Sequence, residues 1–138
     1  MIKLIIFDLD GVLVETKNIH YEALNIALKE ISNEFVISWK DHIKLYDGLS
    51  TRNKLKILSE KKNLNPKFFN KIEKKKQEIT ISLLSQNIKK NDYLFNIIKQ
   101  LKHKYKIAVA SNAIKNTIKM CLIKLGIFKL IDFVISNE

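Results

Sequence analysis

A chain of 138 residues is one ordinary domain in length, enough to bury a sizeable core. Its single cysteine, Cys121, excludes an internal disulfide and fits a reducing cytosol, so a cytoplasmic setting is expected, and no apolar run approaches a membrane span. The net charge of +11 rests on dispersed lysine: of 25 basic residues only Arg52 is arginine, whereas nucleic-acid modules cluster arginine and interleave aromatics, so neither a nucleic-acid nor a membrane partner is expected.

The chain opens on a β-branched apolar run at residues 2–7, which reads as a strand buried on both faces of a parallel sheet. It runs straight into Asp8, Asp10 and Gly11, with no signal-peptide pattern before them. Thr16 is placed to cap a helix over 17–31, with Ile19, Ala23, Ile26 and Ala27 at helical spacing. Ser38-Trp39-Lys40-Asp41 has the form of a capping box and opens a short helix to Tyr46. A loop over 47–50 leads to a helix from Thr51. Asn65-Pro66 then starts another, running to about Leu84 with Phe69, Ile72, Ile79 and Leu83 inward. Residues 92–102 form an amphipathic helix and 106–110 a strand ended by Ser111-Asn112. Residues 114–125 are a helix with Gly126 beyond its end, and 133–135 a third strand. Trp39, Phe68 and Phe69 read as core residues, and Cys121 as a buried, inert thiol.

Strand, helical insert, helix, strand, helix, strand is an α/β order: a parallel βαβ core with an all-helical module inserted after the first strand. Open sheets of this kind bind ligands at the carboxyl ends of their strands, where Asp8 and Asp10 fall. Two carboxylates beside apolar walls call for a cation or a substrate to offset their charge. Gly11 gives the backbone a sharp turn and leaves room for a ligand.

The run Phe7-Asp8-Leu9-Asp10-Gly11-Val12-Leu13-Val14-Glu15-Thr16 resembles the first motif of the haloacid dehalogenase superfamily of phosphohydrolases. The resemblance covers the whole chain. It implies a Rossmann-like parallel core over residues 1–14 and 89–138, of which three strands are seen, and a helical cap over 15–88 that closes over the active site and selects the substrate. In such enzymes the first Asp, here Asp8, is the nucleophile that forms an aspartyl-phosphate, and the second, Asp10, is the general acid/base. Mg²⁺ is implied, held by the Asp8 side chain and the Asp10 main-chain carbonyl. Ser111, with Asn112 beside it, resembles the second motif, whose hydroxyl binds the transferring phosphoryl group, aided by the helix that follows. In the cap, His20 stands one helical turn past Thr16, as in sugar-phosphate members. Gly48 marks the specificity loop, and Arg52 could grip a second anionic group.

The resemblance implies a phosphohydrolase acting on a small phosphorylated metabolite, a sugar phosphate or something phosphoglycolate-like. A β-phosphoglucomutase-like phosphomutase is the neighbouring alternative. The superfamily's later Lys motif and second acidic motif find no counterpart before Glu138, and Lys115 is only a weak substitute. The expectation from this is a shortened form of a longer hydrolase, with low turnover and the first strand at an exposed edge through which copies could associate. An inactive fragment with a structural or interaction role is the non-enzyme alternative. A response-regulator receiver also uses an acceptor Asp, but has no long helical insert after its first strand.

Overall fold

The computed structural model describes all 138 residues, Met1–Glu138. They divide into two compact units, one made of residues 1–16 with 84–138 and one of residues 17–83.

The first unit is the α/β part. Strands β1 (Leu4–Asp8), β2 (Lys106–Ala110) and β3 (Phe133–Ile135) form a parallel sheet in the order β1-β2-β3. Ile5 pairs with Ile107 and Asp8 with Ala110, while Val109 pairs with Val134. Helix α5 (Asp92–Lys102) packs on β2, and α6 (Lys115–Leu125) packs on β3. Parallel strands need such crossovers, and the apolar stripes of the helices bury one sheet face. Because side chains alternate along a strand, the register puts Ile5, Phe7, Ile107, Val109 and Val134 on one face and Leu4, Ile6, Ala108, Phe133 and Ile135 on the other. On the first face Ile107 and Val109 are sealed. On the second, Leu4, Ile6, Phe133 and Ile135 are 44–55% exposed. The expected burial of β1 on both faces therefore does not occur: it is an edge strand with one face open.

Two glycine-dependent and carboxylate-dependent details hold this unit. Gly126 ends α6 at φ +81°, a left-handed conformation that only glycine adopts cheaply. Asp132 stitches β2 to the start of β3: its carboxylate accepts the Ile107 N–H at 2.9 Å, and its own N–H donates to the Ile107 carbonyl at 2.8 Å.

The second unit is all helical: α1 (Lys17–Lys29), α2 (Trp39–Asp41) running into a π turn (His42–Tyr46), α3 (Thr51–Lys62) and most of α4 (Phe69–Asn87). Its core gathers Leu24, Leu28, Leu55, Leu58, Leu64 and Ile72. The Ser38 capping box forms as expected, its hydroxyl accepting the Asp41 N–H at 3.1 Å and donating to the Asp41 carboxylate at 2.8 Å. Asn25 closes the turn after α1 by pairing its amide with both backbone groups of Ile37 at 2.9 Å. Three local expectations are corrected. Helix α1 stops at Lys29, and Ile26 lies on its exposed face. The first turn after Asn65 is 3₁₀ rather than α, tightened by Pro66. Trp39 is 42% exposed, because it sits at the first turn of α2 and lies over His42 instead of entering the core.

Candidate active site

Asp8 and Ala110 are register partners at the carboxyl ends of adjacent parallel strands, so Asp8 and Ser111 leave the sheet side by side. After β1 the chain folds into a tight turn. The Leu9 carbonyl accepts the N–H groups of Leu13 and Val14, both at 3.0 Å, and Gly11 donates to the Val14 carbonyl at 2.7 Å. Gly11 is at φ +77°, with nothing near the place of a Cβ, so conformation rather than crowding demands glycine there. The turn anchors buried Leu9 and leaves Asp10 half-buried beside the strand ends.

Asp10 is held by two hydroxyls. Thr16 Oγ1 donates to Oδ1 at 2.6 Å, and Ser111 Oγ donates to Oδ2 at 3.2 Å while accepting the Ala113 N–H at 3.0 Å. The hydroxyl of Thr16, expected as a helix cap, thus serves Asp10. Asp8 is different: its carboxylate is exposed and makes no hydrogen bond or ion pair. It opens on a cleft of about 300 Å³ lined by Asp8, Ala110, Ser111, Asn112, Ile135 and Ser136. Ser136 escaped the sequence reading, although it follows β3 as Ser111 follows β2, and that parallel was the available signal. Helix α6 begins just past Ser111, and the N–H of Lys115 donates to the Glu138 carboxylate at 2.8 Å, a favourable place for negative charge. Lys115 is exposed and does not line the cleft. The carboxylates of Asp8 and Asp10 are oxygen donors of the kind that suits a hard cation, although no third acidic, His or Cys side chain groups with them. Cys121, buried nearby on α6, has its thiol pushed up to about 11 by burial and, next, by the charge of Asp10.

The structure brings Asp8, Asp10, Gly11, Thr16, Ser111 and Asn112 into the α/β unit. His20, Gly48 and Arg52 belong to the helical unit. His20 has Nδ1 3.4 Å from Lys76 Nζ. Gly48 lies in an exposed turn beside Asp47, whose carboxylate meets Lys17 at 2.9 Å and is thereby held below the usual range. Arg52 pairs with Glu73, donates to Asn70 Oδ1 at 2.8 Å and lies over the Phe69 ring. Its guanidinium therefore ties α3 to α4. Two residues the sequence reading passed over stand out here: His42 and Lys54 are both buried. The spacing of Lys54 to Leu58, one turn on along the inward stripe of α3, was the sign available for the lysine.

Residues 5–138 match the family model for haloacid dehalogenase-like hydrolases. Among solved structures, the chain resembles a predicted phosphoglycolate phosphatase from Haemophilus somnus 129PT (TM-score 0.82, 21% identity) over 99% of this chain and 63% of that one. CbbY from Rhodobacter sphaeroides, solved with phosphate, gives a TM-score of 0.80 at 18% identity over 99% and 64%. A β-phosphoglucomutase from Clostridium difficile gives 0.74 at 27% identity over 99% and 62%. The chain thus spans a little under two thirds of each of these structures. A comparison with curated proteins finds none that matches.

Proposed function

Because the chain belongs to the haloacid dehalogenase-like hydrolase family, we propose that it is a phosphohydrolase that removes phosphate from a small phosphorylated metabolite, a sugar phosphate or a phosphoglycolate-like acid. The observation that carries the reading is the contrast between its two carboxylates. Asp8 is exposed and unpaired at the strand end, the state a nucleophile needs. Asp10 is oriented by Thr16 and Ser111, as a proton-transfer group must be.

In the proposed reaction an Asp8 carboxylate oxygen attacks phosphorus, and the bond from phosphorus to the ester oxygen breaks. Asp10 gives its proton to that leaving oxygen. Asp10, now ionised, takes a proton from a water that attacks the aspartyl-phosphate, which regenerates the Asp8 carboxylate and releases phosphate. Ser111 and Asn112 line the cleft in which the phosphoryl oxygens would lie. The Asp8 side chain and the Asp10 carbonyl would hold Mg²⁺, which lowers the repulsion between a carboxylate and an anionic phosphate.

The test is phosphate release from a panel of phosphomonoesters with Mg²⁺, with Asp8→Asn beside the parent. Activity that survives Asp8→Asn would refute the assignment. The likeness to a β-phosphoglucomutase favours one second reading, a phosphomutase. It predicts isomerised sugar phosphate, with little free phosphate, in the presence of a sugar bisphosphate. The dispersed lysines are read as solvated helix faces that attract anionic metabolites, with no nucleic-acid or membrane partner. No helix is long and apolar enough to cross a membrane, and the setting proposed is cytoplasmic. Self-association through the open edge of β1 is proposed alongside.

A further inference from the structure

Two serines follow neighbouring strands of the α/β unit. Ala110 and Ile135 are register partners, and the Ser111 N–H donates to the Ile135 carbonyl at 3.0 Å. That bond carries the parallel ladder one residue past both strands, so Ser111 and Ser136 stand side by side, about 5 Å apart between main chains. Both are half-buried, and both line the cleft of about 300 Å³ onto which Asp8 opens.

The two hydroxyls are not equally available, because each has a single proton to donate. Ser111 donates its proton to Asp10 Oδ2 at 3.2 Å and already accepts the Ala113 N–H at 3.0 Å. Ser136 Oγ only accepts, from the Glu138 N–H at 3.4 Å, so its proton has no acceptor in the protein. The Glu138 carboxylate does not take it, being turned to the Lys115 N–H at the start of α6 at 2.8 Å. No lysine or arginine lines the cleft, so neutral donors must meet an anion there. The order β1-β2-β3 puts Asp8 and Ser136 at the ends of the two outer strands, about 10 Å apart between main chains. Across that gap the two short side chains do not meet, but a tetrahedral phosphoryl group on Asp8 is the right size to bridge it by a hydrogen bond from Ser136.

We propose that Ser136 is a substrate-binding residue whose hydroxyl donates to an oxygen of the transferring phosphoryl group, in the place that the Ser111 proton, held by Asp10, leaves open. The assignment rests on the reading of Asp8 as the nucleophile of a phosphohydrolase. Hydrogen bonds to a charged oxygen are among the stronger ones, so an uncommitted hydroxyl in a cleft without cationic side chains carries a measurable share of the affinity for a phosphoryl group.

The test is an NMR titration of the full chain, with Mg²⁺ present, using methylphosphonate, a phosphoryl-like anion that no hydrolytic step consumes. Backbone amide shifts are expected at Ser111, Asn112 and Ser136. Ser136→Ala should weaken the affinity about tenfold, and Ser136→Thr, which keeps the hydroxyl, should stay within about threefold of the parent. Because the Ser136 side chain makes one long contact only, Ser136→Ala should unfold at the parent's urea midpoint, which separates lost binding from lost folding. Equal affinity in Ser136→Ala and the parent, shifts confined to residues away from the cleft, or no binding at tens of millimolar overturns the proposal. A parent that binds methylphosphonate through Ser136 but releases phosphate from no phosphomonoester would refute the hydrolase reading and leave the Ser136 contact standing.

Discussion

Asp8 and Asp10 are chemically identical side chains two residues apart, and their surroundings divide them. Asp8 ends a strand and faces open solvent, while Asp10 is turned back toward Thr16 and Ser111. Replacing Thr16 by Val removes the 2.6 Å hydroxyl donor and nearly preserves volume. A hydrogen bond to a charged group contributes about 1.5–3 kcal/mol. Thr16→Val is therefore expected to lower stability by about that amount and to slow turnover with little change in KM, measured by urea unfolding and steady-state kinetics. A change confined to KM would mean that Thr16 binds substrate instead of orienting Asp10. Cys121 makes a second residue-level case. With its thiol pushed up to about 11 and no exposed surface, it is neutral at pH 8 and out of reach. A thiol-specific reagent should leave the native protein unmodified and titrate one thiol in denaturant. Rapid modification of the native chain would mean that α6 opens readily.

At the scale of elements, the β2–β3 joint depends on Asp132. Its carboxylate accepts the Ile107 N–H and meets Lys102 at 3.0 Å, and these contacts hold it below the usual range, the backbone hydrogen bond first. A depressed carboxylate favours the charged form in the folded state. Its stabilisation is therefore complete above the ordinary pKa of 3.8 and is lost as pH falls through the lowered value. Urea unfolding from pH 7 to pH 2 should show the parent more stable than Asp132→Asn at neutral pH, with the difference closing only below about pH 4. A difference that stayed constant to pH 2 would show that the amide loses packing rather than charge.

For the whole molecule, the open sheet face carries the consequence. Leu4, Ile6, Phe133 and Ile135 present neighbouring apolar side chains to water, and the β1 edge leaves backbone groups unpaired. Contiguous apolar surface and a free edge both promote association. Sedimentation velocity should find the chain self-associating at tens of micromolar, and Ile6→Lys with Phe133→Lys should shift it toward monomer. A parent chain that stays monomeric at those concentrations would refute this. A double variant that associates as strongly as the parent would assign the contact to the strand edge rather than the face.

Much of this was legible in the residues themselves. Strands at 106–110 and 133–135 lie where their short apolar runs put them. The helix at 92–102 has its predicted bounds because Asn91 caps it and its apolar stripe is strong, and the capping box at Ser38 formed because its parts lie three residues apart. The acidic turn after β1 was visible as a candidate site for the same reason, since strand, carboxylates and glycine are contiguous. Contacts between residues distant in sequence were not visible. The Ser111 hydroxyl reaches Asp10 across 101 positions, and Arg52 is spent on Glu73 and Asn70. His42 is buried by helices whose packing no local pattern specifies. Composition read β1 as buried on both faces, but only the sheet order showed that Leu4 and Ile6 face water. Local propensity and spacing act along the chain, whereas burial, pairing and charge compensation depend on which segments the fold brings together.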